Sequence, residues 1–183
     1  MKYTLSVVIL IMMNLHVIGQ QNNLYQLSFA GLDKDQINMN DYKGKKIMVV
    51  ECDAAKSDKQ LLFFLDSLYR IRKQNLVIIA IPVDDFEQAP AEKDLKKLWR
   101  DTLKLSFIIT KISRAKKGDA VQHKLLNWLT NKNQNTHFEE TIDKDGQIFI
   151  IGETGRLFAC IKNRLDFTND LMNVLLNQQV QDN

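Results

Sequence analysis

A chain of 183 residues, 45% hydrophobic and 26% charged, can bury one core of ordinary size and fold as one domain. Its formal charge of +3 comes from 25 basic and 22 acidic residues scattered among one another. No basic stripe with interleaved aromatics offers a nucleic-acid surface, so nucleic acid is set aside as a partner.

Met1-Lys2, an apolar run from Leu5 to Met13, and Val17-Ile18-Gly19 before the polar Gln20 to Asn23 are the three parts of a secretory signal over residues 1–19. The run is short for a bilayer core of ~30 Å, and Asn14 and His16 interrupt it, which predicts cleavage rather than a stable membrane span. The mature domain then covers 20–183 and is secreted or periplasmic. In such an oxidising compartment Cys52 and Cys160 could bridge. Both lie in apolar strand-like segments, where a cysteine is most simply a small buried hydrophobe.

Leu27 to Gly31 and Gln36 to Met39 alternate around a polar turn at Asp33-Lys34-Asp35 and predict a hairpin. Lys46 to Val50 and Leu76 to Ile81 are continuous β-favouring runs, as in strands covered on both faces, the second ending at Pro82. Between them Leu61, Leu62, Leu65, Leu68 and Tyr69 recur at helical spacing, with Ser57 and Gln60 in the pattern of a capping box. Further helices are predicted over Glu92 to Leu103, with Leu95, Leu98, Trp99 and Leu103 on one face, and over Val121 to Leu129. Gln147 to Ile151, the turn Gly152 to Gly155 and Arg156 to Ile161 form a hairpin, and Leu171, Met172 and Leu175 mark a closing helix. Strand, helix, strand, then helices, a hairpin and a helix give an α/β class, a central mixed β-sheet flanked by helices in the thioredoxin-like arrangement.

Four segments carry a family resemblance. Tyr42-Lys43-Gly44-Lys45-Lys46 before a core strand resembles the "YKGK" of the glutathione peroxidase family, and Leu68-Tyr69 its "LY". Ile81-Pro82-Val83-Asp84-Asp85-Phe86 with Gln88-Ala89-Pro90 is similar to "FPxNQF…QEP", and His123 to Thr130 to "HPLYxWLT". The resemblance spans nearly all of the mature chain and implies a thioredoxin fold and peroxide reduction by a thiol or selenol. It also implies a tetrad of cysteine or selenocysteine, glutamine, tryptophan and asparagine. Laid on this chain, the cysteine position falls on Lys56, or on Ser57 when anchored one residue later. The glutamine falls on Asp85, and the tryptophan and asparagine on Lys144 and Asp145. The stretch of a second, resolving cysteine falls on Trp99 and Arg100.

Peroxide reduction needs a thiolate or selenolate that becomes a sulfenic or selenenic acid and is then returned by a thiol. Lysine, serine and aspartate supply neither the nucleophile nor the cycle. The degenerate positions Lys56, Asp85, Lys144 and Asp145 are expected to pair as two ammonium and two carboxylate groups, leaving a non-catalytic binding or structural module with an unknown protein or small-molecule partner. The alternative is a thiol peroxidase with Cys52 as displaced nucleophile, Cys160 as resolving partner, and glutathione or a thioredoxin-like protein as reductant. Glu51 and Asp53 beside Cys52 would raise its pKa and weaken it. A third use, Lys56 or Ser57 as a nucleophile, lacks a histidine base, because His123 sits on the Trp128 helix and His137 in a polar loop. No Cys-x-x-Cys or His-x-x-x-His spacing predicts a metal, Gly152 to Gly155 lacks the lysine and helix of a phosphate loop, and no cofactor is expected.

Overall fold

A computed structural model describes residues 24–162 and 169–178 of the chain. The proposed signal, 1–19, lies outside the described residues. Among those residues no helix is long and apolar enough to cross a membrane.

The expected hairpin forms from β1 (Ser28–Ala30) and β2 (Gln36–Asn38), paired antiparallel with Phe29 opposite Ile37. A short 3-10 turn, Met39–Tyr42, then leads to β3 (Lys46–Asp53). Helix α1 (Lys59–Arg72) crosses over to β4 (Leu76–Val83), which runs parallel to β3 from Lys46 opposite Leu76 to Asp53 opposite Val83. Every residue of both strands is buried, which explains why their sequences are continuous rather than alternating. Next come α2 (Glu92–Lys96), the two-residue β5 (Ile108–Ile109), α3 (Lys124–Thr130) and the short α4 (Lys132–Asn135). The hairpin β6 (Ile148–Ile151) and β7 (Leu157–Ile161) and the helix α5 (Asn169–Asn177) close the chain. The sheet order is β5-β4-β3-β6-β7, with β4 parallel to β3 and β5 and with β6 antiparallel to β3 and β7.

Side-chain alternation splits the core in two. Ile47, Val49, Ile79, Ile81 and Phe149 face α3 and the first hairpin, meeting Leu125, Trp128 and Phe29. Met48, Val50, Cys52, Ile78 and Ile150 face α1, α2 and α5, meeting Leu62, Leu65, Leu95 and Met172. The first hairpin also reaches the free side of β5, where Leu32 N–H donates to the Ile109 carbonyl (2.9 Å) and Lys111 N–H to the Ala30 carbonyl (3.2 Å).

Four local expectations change. Strand β4 continues through Pro82 to Val83. The carbonyls of Ala80 and Pro82 both accept from the β5 side, from Thr110 and Ser113, so the proline nitrogen faces the side on which β5 has already ended. The cap of α1 is Asp58 rather than Ser57: its carboxylate accepts from Gln60 N–H (2.8 Å) and Leu61 N–H (3.2 Å). The predicted helix from Glu92 stays α-helical for five residues and then widens into a π-helix, Lys97–Thr102. That change of period turns Leu98 outward, 38% exposed, while Leu95 and Trp99 stay buried. Val121 precedes α3 and is exposed, so it does not share the buried face of Leu125 and Trp128.

Two positions in the outer frame are specific. Lys46 is 3% exposed, and its ammonium donates to the carbonyls of Leu175 (3.0 Å), Leu176 (3.2 Å) and Gln178 (2.6 Å), holding the C-terminus of α5. Gly155, at φ +85° in the β6–β7 turn, lies so close to the Tyr25 ring that an added Cβ would stand 2.7 Å from it.

Candidate functional site

The turn from β3 into α1 is built from short side-chain bonds to backbone. Ala55 N–H donates to Asp53 Oδ1 (2.8 Å), and the Ser57 hydroxyl donates to the Asp53 carbonyl. Lys56, with a side chain 71% exposed, pairs with Glu87 beyond β4. Asp85 accepts from Ala115 N–H (2.6 Å) and Lys116 N–H (3.0 Å) and so fastens the segment that leads to α3. Lys144 is exposed. Asp145 accepts Asp53 N–H at 2.6 Å.

The expected mutual pairing of Lys56, Asp85, Lys144 and Asp145 therefore does not form. Short aspartate side chains reach nearby amides at little entropic cost, and those local bonds win over long lysine side chains that would have to be immobilised. Of the four, Asp145 alone is tied to the end of β3.

What gathers there is acid. Glu51 is fully buried, directly across from Gln147 of the β6 approach, to whose carbonyl its own N–H donates (3.0 Å). Neither carboxyl oxygen has a partner at good hydrogen-bond geometry, although the Gln147 and Gly146 amides lie near enough to favour its charged form weakly. Burial, reinforced by the charges of Asp145 and Asp53 and partly offset by the Gln147 and Gly146 amides, pushes its pKa up to about 9. Glu51 is thus a neutral acid at physiological pH. Burial and Asp53 push Asp145 upward as well. Gln147, 1% exposed, donates to Cys160 Sγ (3.2 Å) and leaves its own Oε1 without a partner.

Both cysteines sit in the sheet with their thiol pKa values raised by burial. Cys52 is 2% exposed and packs under α1, and burial, then Glu51, Asp145 and Asp53, push its thiol well above the ordinary range. Cys160 packs toward the opposite face of the sheet, and burial raises it too. Both are free thiols. Cys160 is in register with Phe149 and Val49, so Cys52 lies two strand spacings across, roughly 9–10 Å, and three residues further along its strand, well beyond the ~7 Å that a disulfide can span.

The two described histidines, His123 and His137, are held by local contacts. His123 caps α3, its Nδ1 accepting Leu125 N–H (3.2 Å), so the ring proton sits on Nε2. Its ring stands edge-on to Phe29 at 4.6 Å, and burial together with Lys124 pushes its pKa down to about 4. His137 Nε2 accepts from Arg156 Nε at 3.0 Å. Ser57 has its hydroxyl committed to a carbonyl and no histidine among its partners. Among the described residues no group of three His, Cys, Asp or Glu could hold a metal ion.

Two features lie outside the sequence reading. Glu51 was visible there only as a neighbour of Cys52, although a carboxylate inside the apolar run Ile47 to Cys52 is a signal of its own. The π-helix has no composition signature. It places Leu98, Trp99 and Leu103 against the β3–α1 turn, around a pocket of about 230 Å³.

No family model matches this sequence, and no curated protein matches it. Solved structures do match. The apo crystal structure of a protein designated Trgpx superposes with a TM-score of 0.62 at 16% identity, covering 84% of this chain and 92% of that one. The crystal structure of T. cruzi GPX1 gives 0.60 at 13% identity, covering 84% and 94%. The thioredoxin domain of a thiol-disulfide oxidoreductase from Bacteroides vulgatus gives 0.54 at 17% identity, covering 81% and 92%. At these identities the likeness shows architecture: the chain has a thioredoxin-like fold, shared over most of its length with these three proteins.

Proposed function

We infer that this chain is a secreted or periplasmic, non-redox member of the glutathione peroxidase family, retained as a binding or structural module. The carrying observation is the chemistry of the β3–α1 turn. Lys56 or Ser57 stands where the resemblance puts a peroxidatic thiol, and the one nearby thiol, Cys52, is sealed beneath α1 in its protonated form. A buried thiol held above its ordinary pKa offers almost no thiolate, and a peroxide has no path to it. Cys160 cannot resolve a sulfenic acid on Cys52, because the two side chains face opposite sides of the sheet.

The test is peroxide consumption by the secreted form beginning near Gln20, with glutathione and separately with thioredoxin as reductant. Cys52→Ser serves as the control. The expected result is no consumption above that control. Turnover that disappears in Cys52→Ser would overturn the reading and make the chain a thiol peroxidase with a displaced nucleophile.

A further inference from the structure

We propose that the pocket between the β3–α1 turn and the π-helix is a binding site for a small amphipathic anion, a short-chain aliphatic carboxylate. Its floor is Leu62 and Trp99, each 1% exposed, and its wall is Leu98 and Leu103. Lys56 and Lys59 stand on its rim, and no carboxylate is among the residues that line it. An apolar floor under a cationic rim suits a ligand with an alkyl end and a negative end. At about 230 Å³ the cavity holds a short chain rather than a long lipid or a nucleotide.

The wall is preformed, and this observation is independent of the charges. The wide turn closes through Leu103 N–H to the Leu98 carbonyl (2.8 Å), the five-residue spacing of a π-helix, and Leu105 N–H reaches the Trp99 carbonyl (3.0 Å). From behind, Arg100 donates to the carbonyls of Leu105 (2.7 Å) and Phe107 (2.8 Å) and pairs with Asp33 at 2.8 Å. Lys96 joins the same carboxylate at 2.9 Å. Burial raises the Asp33 pKa, but the hydrogen bonds and charges of Lys96 and Arg100 outweigh it, so the pair stays ionised at neutral pH. A π turn braced in this way keeps Leu98 on the pocket side without further ordering on binding. Glu87 holds Lys56 through an exposed pair of small net strength, so that ammonium can be shared with a ligand carboxylate.

The inference rests on the non-redox reading of the β3–α1 turn, and the two fail separately. Peroxide turnover would sink that reading, whereas a silent binding experiment without turnover would sink the pocket alone. The experiment is an amide-correlation NMR titration of the purified protein with octanoate, with octylamine in a parallel arm. Saturable shifts confined to residues 54–62 and 98–103, including the Trp99 indole, are expected with octanoate and not with octylamine. Leu98→Asp, at an exposed position that the fold tolerates, should weaken octanoate binding at least tenfold. Lys59→Glu should weaken it severalfold and flatten its salt dependence. Shifts that are scattered or do not saturate, equal binding of octylamine, or an unchanged affinity in Leu98→Asp would overturn the proposal.

Discussion

Replacing Glu51 by Gln tests the electrostatics of the sheet centre directly. In the unfolded chain this carboxyl titrates near its ordinary value of 4.5, whereas in the fold it holds its proton up to about 9. A raised folded pKa means that stability is full below 4.5 and is lost as pH rises toward 9, because the unfolded state gains by ionising and the native state does not. At ~1.4 kcal/mol per pH unit, the penalty at pH 7 is on the order of 3 kcal/mol. Gln keeps the shape and hydrogen-bonding character of the neutral acid and never ionises. Glu51→Gln should therefore be more stable than the parent by on the order of 3 kcal/mol at pH 7, with the difference closing near pH 4. His123 opposes this slope at lower pH. Its folded value near 4, against 6.5 unfolded, costs stability as pH falls through that interval, so the two slopes offset one another between about 4.5 and 6.5 and the parent should be flat there and decline above it. Urea unfolding midpoints measured from pH 4 to 9 read both effects. A variant with no gain at pH 7, or one that keeps the parent's decline between pH 7 and 9, would refute the buried neutral acid.

Three further outcomes follow from contacts already described. Lys46→Met keeps the buried stem but loses the bonds to three carbonyls, so it should cost about 2–3 kcal/mol and raise amide exchange in α5 before the rest of the chain. Exchange unchanged in α5 would show that Lys46 is not its anchor. Asp66 accepts from Ser106 N–H (2.6 Å), Ser106 Oγ (2.7 Å) and Arg70 Nε (2.6 Å), bonds that overcome its burial and lower its pKa. Asp66→Asn should cost about 2 kcal/mol at pH 7. That cost should shrink as pH falls below 3.8 and through the lower folded value, and a cost independent of pH would contradict the assignment. Gly155→Ala combines a left-handed φ with a Cβ against Tyr25 and should lower stability by about 1–3 kcal/mol, read as a lower urea midpoint. A midpoint equal to the parent's would show that the turn relaxes freely.

Strands β3 and β4, the two hairpins and the pair of helices around Leu65 and Trp128 were legible, because apolar period and turn residues report burial directly. The end of β4 was misread because Pro82 marks a stop only when its nitrogen faces a hydrogen-bonding neighbour, and the neighbour's length is a tertiary fact. Asp58, not Ser57, is the cap because it directly precedes the first helical residue in an extended conformation that lets its carboxylate accept from Gln60 and Leu61, while the Ser57 hydroxyl is turned back to donate to the Asp53 carbonyl. For the candidate site, the resemblance supplied only positions, Lys56, Asp85, Lys144 and Asp145. Their partners were not legible, since each depends on which backbone amides and side chains the fold brings near. The expected upward push of Glu51 and Asp53 on the Cys52 thiol holds, behind burial. What sequence order does not show is that Glu51 is itself buried among acids and so has its own ionisation shifted.

The first hairpin has a consequence for solubility. A sheet border exposes amides and carbonyls that can recruit a strand from another molecule, and β5 would be such a border. Here Leu32 and Ala30 already occupy the Ile109 carbonyl and the Lys111 amide, so that side is closed to a passing strand. Proteolytic trimming between Gln20 and the hairpin would leave this guard intact. Trimming past Asn38 would remove it and leave the β5 border open to pairing with another strand.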